Sequence, residues 1–293
     1  MNSLILGSGK IGLDLYYKCK QKKIFENIII FNRNKNSAGS LFCKKNKISC
    51  SHHGVYGVLN ELKKRKKNII FDATSAKSSY VNFNLLKNLL KKNYYINLTP
   101  SKIGEYTIPY FNSKKINKKI NLITCGGQSS LPLILQLANY FKKRLLYVEL
   151  VSSISSLSAG EATRNNINEY ISNTENAIYK IAKIKKCKVI INLNPSNPPV
   201  NMMNSLFFQI RNNLNNRDIK MTKKIVNLVN IEIKRYIPGF NAKFFFTPKN
   251  NIFRVTIRVV GQGDYLPSYA GNLDIITSAA AFIGNKIYEK NYN

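Results

Sequence analysis

Two stretches of the chain carry residues whose types and spacing could do chemistry. The first is Thr124-Cys125-Gly126-Gly127-Gln128-Ser129-Ser130-Leu131-Pro132, where an apolar strand over Asn121–Thr124 gives way to an apolar helix over Leu131–Phe141. A helix N-terminus just beyond a thiol favours the thiolate, which is the nucleophilic form, and paired glycines permit unusual backbone angles beside it. Cys125 is therefore the candidate nucleophile. The plainer reading of a lone cysteine, a small buried hydrophobe, fits Cys19, Cys43, Cys50 and Cys187.

The second stretch is Gly7-Ser8-Gly9-Lys10-Ile11-Gly12, a GxGxxG that follows a strand-like run, Ser3–Leu6, and opens a helical pattern from Ile11 to about Lys22. In that context the first glycine allows the tight turn, the second lets the backbone approach a pyrophosphate, and the third lets helix and strand pack closely. The exposed N–H groups of the helix start would face the phosphates. A bare glycine-rich turn without a ligand is the alternative. An acid binding the ribose hydroxyls of NAD is expected about 20 residues after the loop. The chain has Asn32 and Arg33 there, an amide with no charge to repel a 2′-phosphate and a guanidinium to pair with one. NAD is the default cofactor and NADP the alternative.

A dinucleotide loop together with a strand-end cysteine suggests one reaction: thiolate attack on an aldehyde, hydride transfer to nicotinamide, and a thioester left on the enzyme. Water, phosphate or CoA could then accept the acyl group, and these residues alone do not choose among them.

The elements that must position these groups follow an alternating pattern in the first half of the chain. Strands are expected at Ser3–Leu6, Asn27–Phe31, Asn68–Ala73, Tyr94–Leu98 and Asn121–Thr124, with helices at Ile11–Lys22, Val58–Lys66 and Val81–Lys92. This is the βαβ signature of a parallel sheet. In the Val81–Lys92 helix, Val81, Leu85, Leu86, Leu89 and Leu90 fit a 3.6-residue period. The second half is α+β. Strands are expected at Val148–Ser155, Lys188–Leu193, Ala242–Phe246 and Ile252–Val260, and helices at Asn165–Lys185, Ile219–Tyr236 and Asn272–Tyr288.

Composition bounds the remaining choices. The chain has 293 residues, 44% of them hydrophobic, enough for a sizeable core in two domains. No apolar run approaches the roughly 18 residues a membrane span needs. The start, Met1-Asn2-Ser3-Leu4, reads as a strand rather than a signal peptide, so a cytoplasmic chain without membrane contact is expected. Five cysteines without a CxxC, and two adjacent histidines, His52 and His53, give neither a disulfide framework nor a metal site. The net charge of +32 is spread along the whole chain beside abundant asparagine and isoleucine. That pattern fits AT-rich codon usage better than a nucleic-acid footprint, and no aromatic-interleaved basic motif accompanies it.

Beyond these local readings, the chain resembles the acylating acetaldehyde dehydrogenases that pair with 4-hydroxy-2-oxovalerate aldolase in aromatic-compound breakdown. The resemblance rests on LGSGKIGLDL (6–15), FDATSA (71–76), NLTPSKIG (97–104), TCGGQSSLP (124–132), SISSLSAGEATRNNI (153–167), LNPSNPP (193–199) and GDYLPSYAGNLDI (263–275). It implies a Rossmann-type domain over residues 1–125, a catalytic and dimerisation domain over 126–265, and a C-terminal helix over 266–293 returning to the cofactor domain. Cys125 would carry the acyl thioester, and Ser8 to Ile11 would hold the phosphates. Ser158, Ala159, Gly160, Glu161, Ala162, Thr163, Arg164, Asn165 and Asn166 would form a loop at the cofactor, with Asn272 at the nicotinamide end. The resemblance further implies CoA as acyl acceptor, acetaldehyde or another short aldehyde as substrate, and a homodimer within a heterotetramer with the aldolase.

The chain departs from the family pattern where a carboxylate is thought to activate the cysteine, since the matching residue is Asn204, and again at Asn97 and Gly160-Glu161-Ala162. A neutral amide is no base, and positioned bases contribute about 10²–10⁴-fold. Two other readings therefore stand beside the active enzyme: a decayed structural partner of the aldolase, and a semialdehyde or acyl-phosphate reductase.

Overall fold

The computed structural model describes every residue except 24, 65, 112–115, 161–163, 165, 248–249 and 293, and only the backbone at 22 and 292. The chain divides into two compact units. One comprises Met1–Ile123, Asp264–Leu266 and Ile276–Asn293, the other Thr124–Gly263 and Pro267–Ile275.

The first unit is built on a seven-stranded sheet. In chain order its elements are β1 (Asn2–Leu6), α1 (Lys10–Lys22), β2 (Ile28–Phe31), α2 (Ala38–Lys45), β3 (Cys50–Ser51), α3 (Gly54–Lys63), β4 (Asn68–Asp72), α4 (Ala76–Leu86), β5 (Tyr94–Asn97), β6 (Glu105–Tyr106) and β7 (Lys119–Asn121). The strand order is β3-β2-β1-β4-β5-β7-β6 and every pairing is parallel. The apolar runs in β1 and β4 lack alternation because both faces are covered, and all five residues of each strand are buried. The strand order reverses at β1, the place where open α/β sheets bind ligands beyond their strand ends.

The expected strand over Asn121–Thr124 is displaced: β7 ends at Asn121, whose side chain accepts a hydrogen bond from the Ile123 backbone N–H at 2.7 Å. Ile123, buried and β-branched, holds a left-handed φ of 66°, a conformation costly for that residue type. The α4 expectation also shifts. The helix starts earlier because Ser75 accepts from the Ser78 N–H, and Val81, Leu85 and Leu89 of the apolar period are exposed. Asp14 is buried within α1, accepting from the Thr277 hydroxyl at 2.5 Å and lying 3.8 Å from Lys18, whose ammonium bonds Asp264 at 2.6 Å. Removing one partner of such a buried charged group costs about 3–5 kcal/mol.

The second unit pairs a five-stranded sheet with helices on one face. Its elements are α5 (Cys125–Phe141), β8 (Leu145–Ser155), α6 (Ile167–Ala182), β9 (Cys187–Asn194), β10 (Met202–Ile210), α7 (Asn216–Lys234), β11 (Phe240–Phe246) and β12 (Ile252–Val259). The order is β11-β12-β10-β8-β9, antiparallel except for the parallel β8–β9 pair. The last helix, α8 (Gly271–Tyr292), runs from the second set of residues into the first.

Strand β10, unforeseen in the sequence, lies at the centre of this sheet. Met202, Asn204, Leu206, Phe208 and Ile210 form its buried face, and Phe208 stacks on Phe253 with ring centroids 5.0 Å apart. Each such apolar side chain contributes roughly 1.5–3 kcal/mol by leaving water. At the sheet margin Asp218 closes a capping box with Asn215 and takes a bidentate contact from Arg144 at 3.0 and 2.7 Å.

Candidate active site

Cys125 is the first residue of α5, six residues before the expected helix start. Thr124 caps the helix, its hydroxyl accepting from the Gly127 N–H at 3.0 Å while meeting the Thr174 hydroxyl at 2.7 Å. The cysteine thus sits in the first turn, where the helix dipole favours a negative sulfur.

The thiol's described partner is a residue the sequence had not marked. Cys125 Sγ lies 3.7 Å from the Tyr170 hydroxyl of α6, donating to it as a thiol. The same hydroxyl accepts from the Gly126 N–H at 3.0 Å and donates to Ser152 Oγ at 3.4 Å. Gly126 makes the approach possible, since a Cβ there would stand 2.2 Å from the phenol oxygen. Burial pushes the Cys125 thiol above its ordinary range, and Tyr170, the Gly126 N–H and the cysteine's own N–H act against that rise. Among the described residues no cation lowers it. Burial and then the neighbouring cysteine raise Tyr170 well above an ordinary phenol, so it remains a protonated donor. Once Cys125 ionises, the phenol hydrogen can turn from Ser152 to the sulfur.

Asn204 is fully buried on β10 and donates to Ser129 Oγ at 2.6 Å and Ser130 Oγ at 2.8 Å, leaving its Oδ1 without a partner. Ser129 in turn donates to the carbonyl oxygens of Cys125 and Gly126 at 2.9 and 3.1 Å. Asn204 therefore acts on the cysteine's backbone through Ser129, and among the described residues no carboxylate or imidazole bonds the sulfur.

In the Ser158–Asn166 segment, Ser158 folds back on Ser155 through its hydroxyl at 2.8 Å. Arg164 donates to the carbonyls of Ala159 and Ser156 at 3.2 and 2.8 Å and closes the loop. Space beside Gly160 is open, and Asn166 stands at the N-cap of α6. Glu161, Ala162, Thr163 and Asn165 lie outside the described residues. Asn272, buried in the first turn of α8, sends its amide N–H toward the Ser158 carbonyl at 3.5 Å and leaves its oxygen unpartnered.

The glycine loop of the first unit has the form a dinucleotide needs. Gly7 holds φ 103° and packs so tightly that a Cβ would stand 2.8 Å from the Ala73 carbonyl. A Cβ on Gly12 would stand 2.0 Å from the Gly7 carbonyl, which keeps helix and strand close. Beside Gly9 nothing lies within 4 Å, so the backbone that follows Ser8 and leads into Lys10 and Ile11 is open to a phosphate. A cavity of about 260 Å³ opens beside Gly7, lined by Gly7, Asn32, Arg33, Thr74 and Ser78 among others. Asn32 is committed internally: its amide donates to Ser8 and Ser40 and its oxygen meets His52 Nδ1 at 2.9 Å. It ties the glycine loop down at Ser8, with Arg33 beside it lining the cavity.

Residues 125–267 match the family model described as prokaryotic acetaldehyde dehydrogenase, dimerisation. An acetaldehyde dehydrogenase of Pectobacterium atrosepticum is 36% identical, with 98% of this chain and 96% of that protein covered. Another from Burkholderia pseudomallei is 39% identical over 96% of this chain and 92% of its own length. Among solved structures, aspartate semialdehyde dehydrogenase II from Vibrio cholerae superposes with a TM-score of 0.62 at 10% identity, covering 100% of this chain and 99% of that one. A probable aspartate-semialdehyde dehydrogenase from Pseudomonas aeruginosa gives 0.67 at 8% identity, with the same coverage. These two likenesses concern the fold.

Proposed function

The chain belongs to the acetaldehyde dehydrogenase family, an oxidoreductase acting on aldehydes, and on that premise we propose that it converts acetaldehyde and CoA to acetyl-CoA through a thioester on Cys125. The observation that carries this reading is Cys125 in the first turn of α5 with the Tyr170 phenol at its sulfur.

In the proposed sequence the Cys125 thiolate adds to the aldehyde carbon, forming a C–S bond and an alkoxide. The donor N–H groups of the α5 first turn and the Tyr170 hydroxyl offset negative charge on sulfur before attack. The Gly7–Gly12 loop would hold the pyrophosphate of an oxidised dinucleotide, whose nicotinamide would supply the hydride acceptor. Loss of hydride turns the alkoxide into a thioester carbonyl. CoA thiolate then attacks that carbonyl, acetyl-CoA leaves, and Cys125 is released as thiolate. Ser129, oriented by Asn204, fixes the Cys125 carbonyl and with it the first turn that presents the sulfur.

The match to a dimerisation domain supports homodimerisation through the second unit. The outward residues of that unit's sheet include Met203 and Phe245, exposed by 45% and 42%. Pairing with an aldolase subunit rests on the family resemblance and is tested by co-purification. Among the described residues no helix is long and apolar enough to cross a membrane.

The test is cofactor reduction followed by absorbance with acetaldehyde, with and without CoA, beside Cys125→Ala. CoA-dependent turnover absent from Cys125→Ala supports the reading. Asn204 favours one alternative, a scaffold without catalysis, and that alternative requires no turnover in folded wild-type protein.

A further inference from the structure

Beyond the phosphate loop, the first unit holds a second and larger cavity of about 590 Å³ that shares Arg33, Val55, Ser78 and Asn82 with the loop's own cavity. The two are continuous in their lining, so a ligand whose pyrophosphate rests on Gly9 would extend the rest of its nucleotide into the larger one.

One part of the larger cavity's lining is apolar. Tyr56 on α3 and Val81 and Leu85 on α4 reach it, exposed by 64%, 57% and 40%. Val81 and Leu85 belong to the helical stripe that amphipathic periodicity would bury, yet they face this space. Apolar surface from two helices lining one cavity suits a flat purine.

The rest of the lining is cationic. Arg33 and Lys77 reach the cavity with His53, and neither Arg33 nor Lys77 is in an ion pair among the described residues. Among the described residues no aspartate or glutamate lines either cavity. Arg33 is also seated by design of the backbone. Its stem lies over Gly54, where a Cβ would stand 2.7 Å from Arg33 Cγ and where φ is +53°. Among the described residues no carboxylate lines either cavity to accept from ribose hydroxyls, and the Asn32 amide oxygen, the neutral acceptor at that place, already meets His52 Nδ1 at 2.9 Å.

We propose that Arg33 and Lys77, with His53 beside them, form a subsite for a phosphate on the adenosine 2′-oxygen, so that the preferred dinucleotide is NADP rather than NAD. This rests on the dinucleotide reading of the glycine loop. A dianionic phosphate meets a planar guanidinium that can bond two of its oxygens and an ammonium that acts as a point charge. NAD brings only hydroxyls to the same place and leaves both cations solvated.

The experiment is calorimetric titration of the full chain with NADP⁺, NAD⁺, 2′,5′-ADP and 5′-AMP, for wild type and for Arg33→Ala and Lys77→Ala. Binding needs no turnover, and the ratio of two ligands on one protein sample is insensitive to a variant's folded fraction. Charge-assisted bonds of about 1.5–3 kcal/mol correspond to a preference of roughly ten- to a hundredfold. Wild type is expected to bind NADP⁺ and 2′,5′-ADP tighter than NAD⁺ and 5′-AMP by that factor, with the ratio reduced about tenfold in Arg33→Ala. NAD⁺ binding as tightly as NADP⁺ in wild type overturns the subsite and leaves the dinucleotide reading standing. A preference for NADP⁺ that survives in both variants overturns the assignment to Arg33 and Lys77. Binding of none of the four overturns the dinucleotide reading and the subsite together.

Discussion

Replacing Tyr170 by phenylalanine removes one oxygen and keeps the ring, so its effect isolates the hydroxyl that meets Cys125. Two losses follow. The Cys125 thiolate loses a charge-assisted donor at 3.7 Å, and the Gly126 N–H loses its acceptor at 3.0 Å in a buried position. A hydrogen bond to a charged group is worth about 1.5–3 kcal/mol, and about 1.4 kcal/mol moves a pKa by one unit. The thiol, already raised by burial, should therefore rise by a further one to two units or so. Below the wild-type midpoint the thiolate fraction should then fall about ten- to a hundredfold. The assay is the rate of Cys125 alkylation by iodoacetamide across the neutral and alkaline range, with the labelled cysteine identified by peptide mass. Wild type should show a midpoint above that of an ordinary thiol, and Tyr170→Phe a midpoint higher still with slower labelling at neutral pH. Superimposable profiles in folded proteins would falsify the role given to Tyr170. The orphaned Gly126 N–H should separately lower unfolding free energy by about 1–3 kcal/mol.

Three further outcomes follow from the same geometry. Gly126→Ala places a methyl 2.2 Å from the Tyr170 oxygen and 2.7 Å from Ser152 Oγ, so alkylation and turnover should fall at least as far as in Tyr170→Phe. Wild-type alkylation kinetics in that variant would refute the close approach. Asn204→Ala removes two buried hydrogen bonds to Ser129 and Ser130, and denaturant unfolding should show a loss of about 2–4 kcal/mol. Asp218 answers to pH. Burial alone would raise it, but Arg144, the Asn215 N–H and Tyr140 together hold it below the usual carboxylate range. A depressed folded pKa gives stability present above the unfolded value near 4 and lost as pH falls below it. Unfolding free energy measured from neutral to acid pH should fall below about pH 4, and Asp218→Asn should flatten that fall.

The sequence made the local features legible and the distant ones not. The GxGxxG could be read because strand, turn and helix start are contiguous, and Gly7 and Gly12 occupy the tight places the pattern implies. Alternating strands and helices likewise foretold the parallel sheet of the first unit. Strand β10 escaped because Asn204 and Ser205 interrupt its apolar run, although its alternate residues are buried in register with β8 and β12. The start of α5 was placed late because Gly126, Gly127 and Pro132 are poor helix formers; the Thr124 cap and burial on most sides outweigh that propensity. Val81 and Leu85 show the opposite failure, a good helical period whose face is left open to a cavity. Tyr170 could not be found by spacing, since 45 residues separate it from Cys125. The one hint was the glycine at 126, whose missing side chain makes room for the phenol.

The central claim is the acyl bond to Cys125, and the most direct measurement is intact-protein and peptide mass spectrometry after mixing the chain with acetaldehyde and oxidised dinucleotide in the absence of CoA. The expected result is one acetyl group on the peptide that contains Cys125, removed when CoA is added and absent from Cys125→Ala. Cofactor reduction without any acetyl on Cys125, or an acetyl group that CoA fails to remove, would contradict the account.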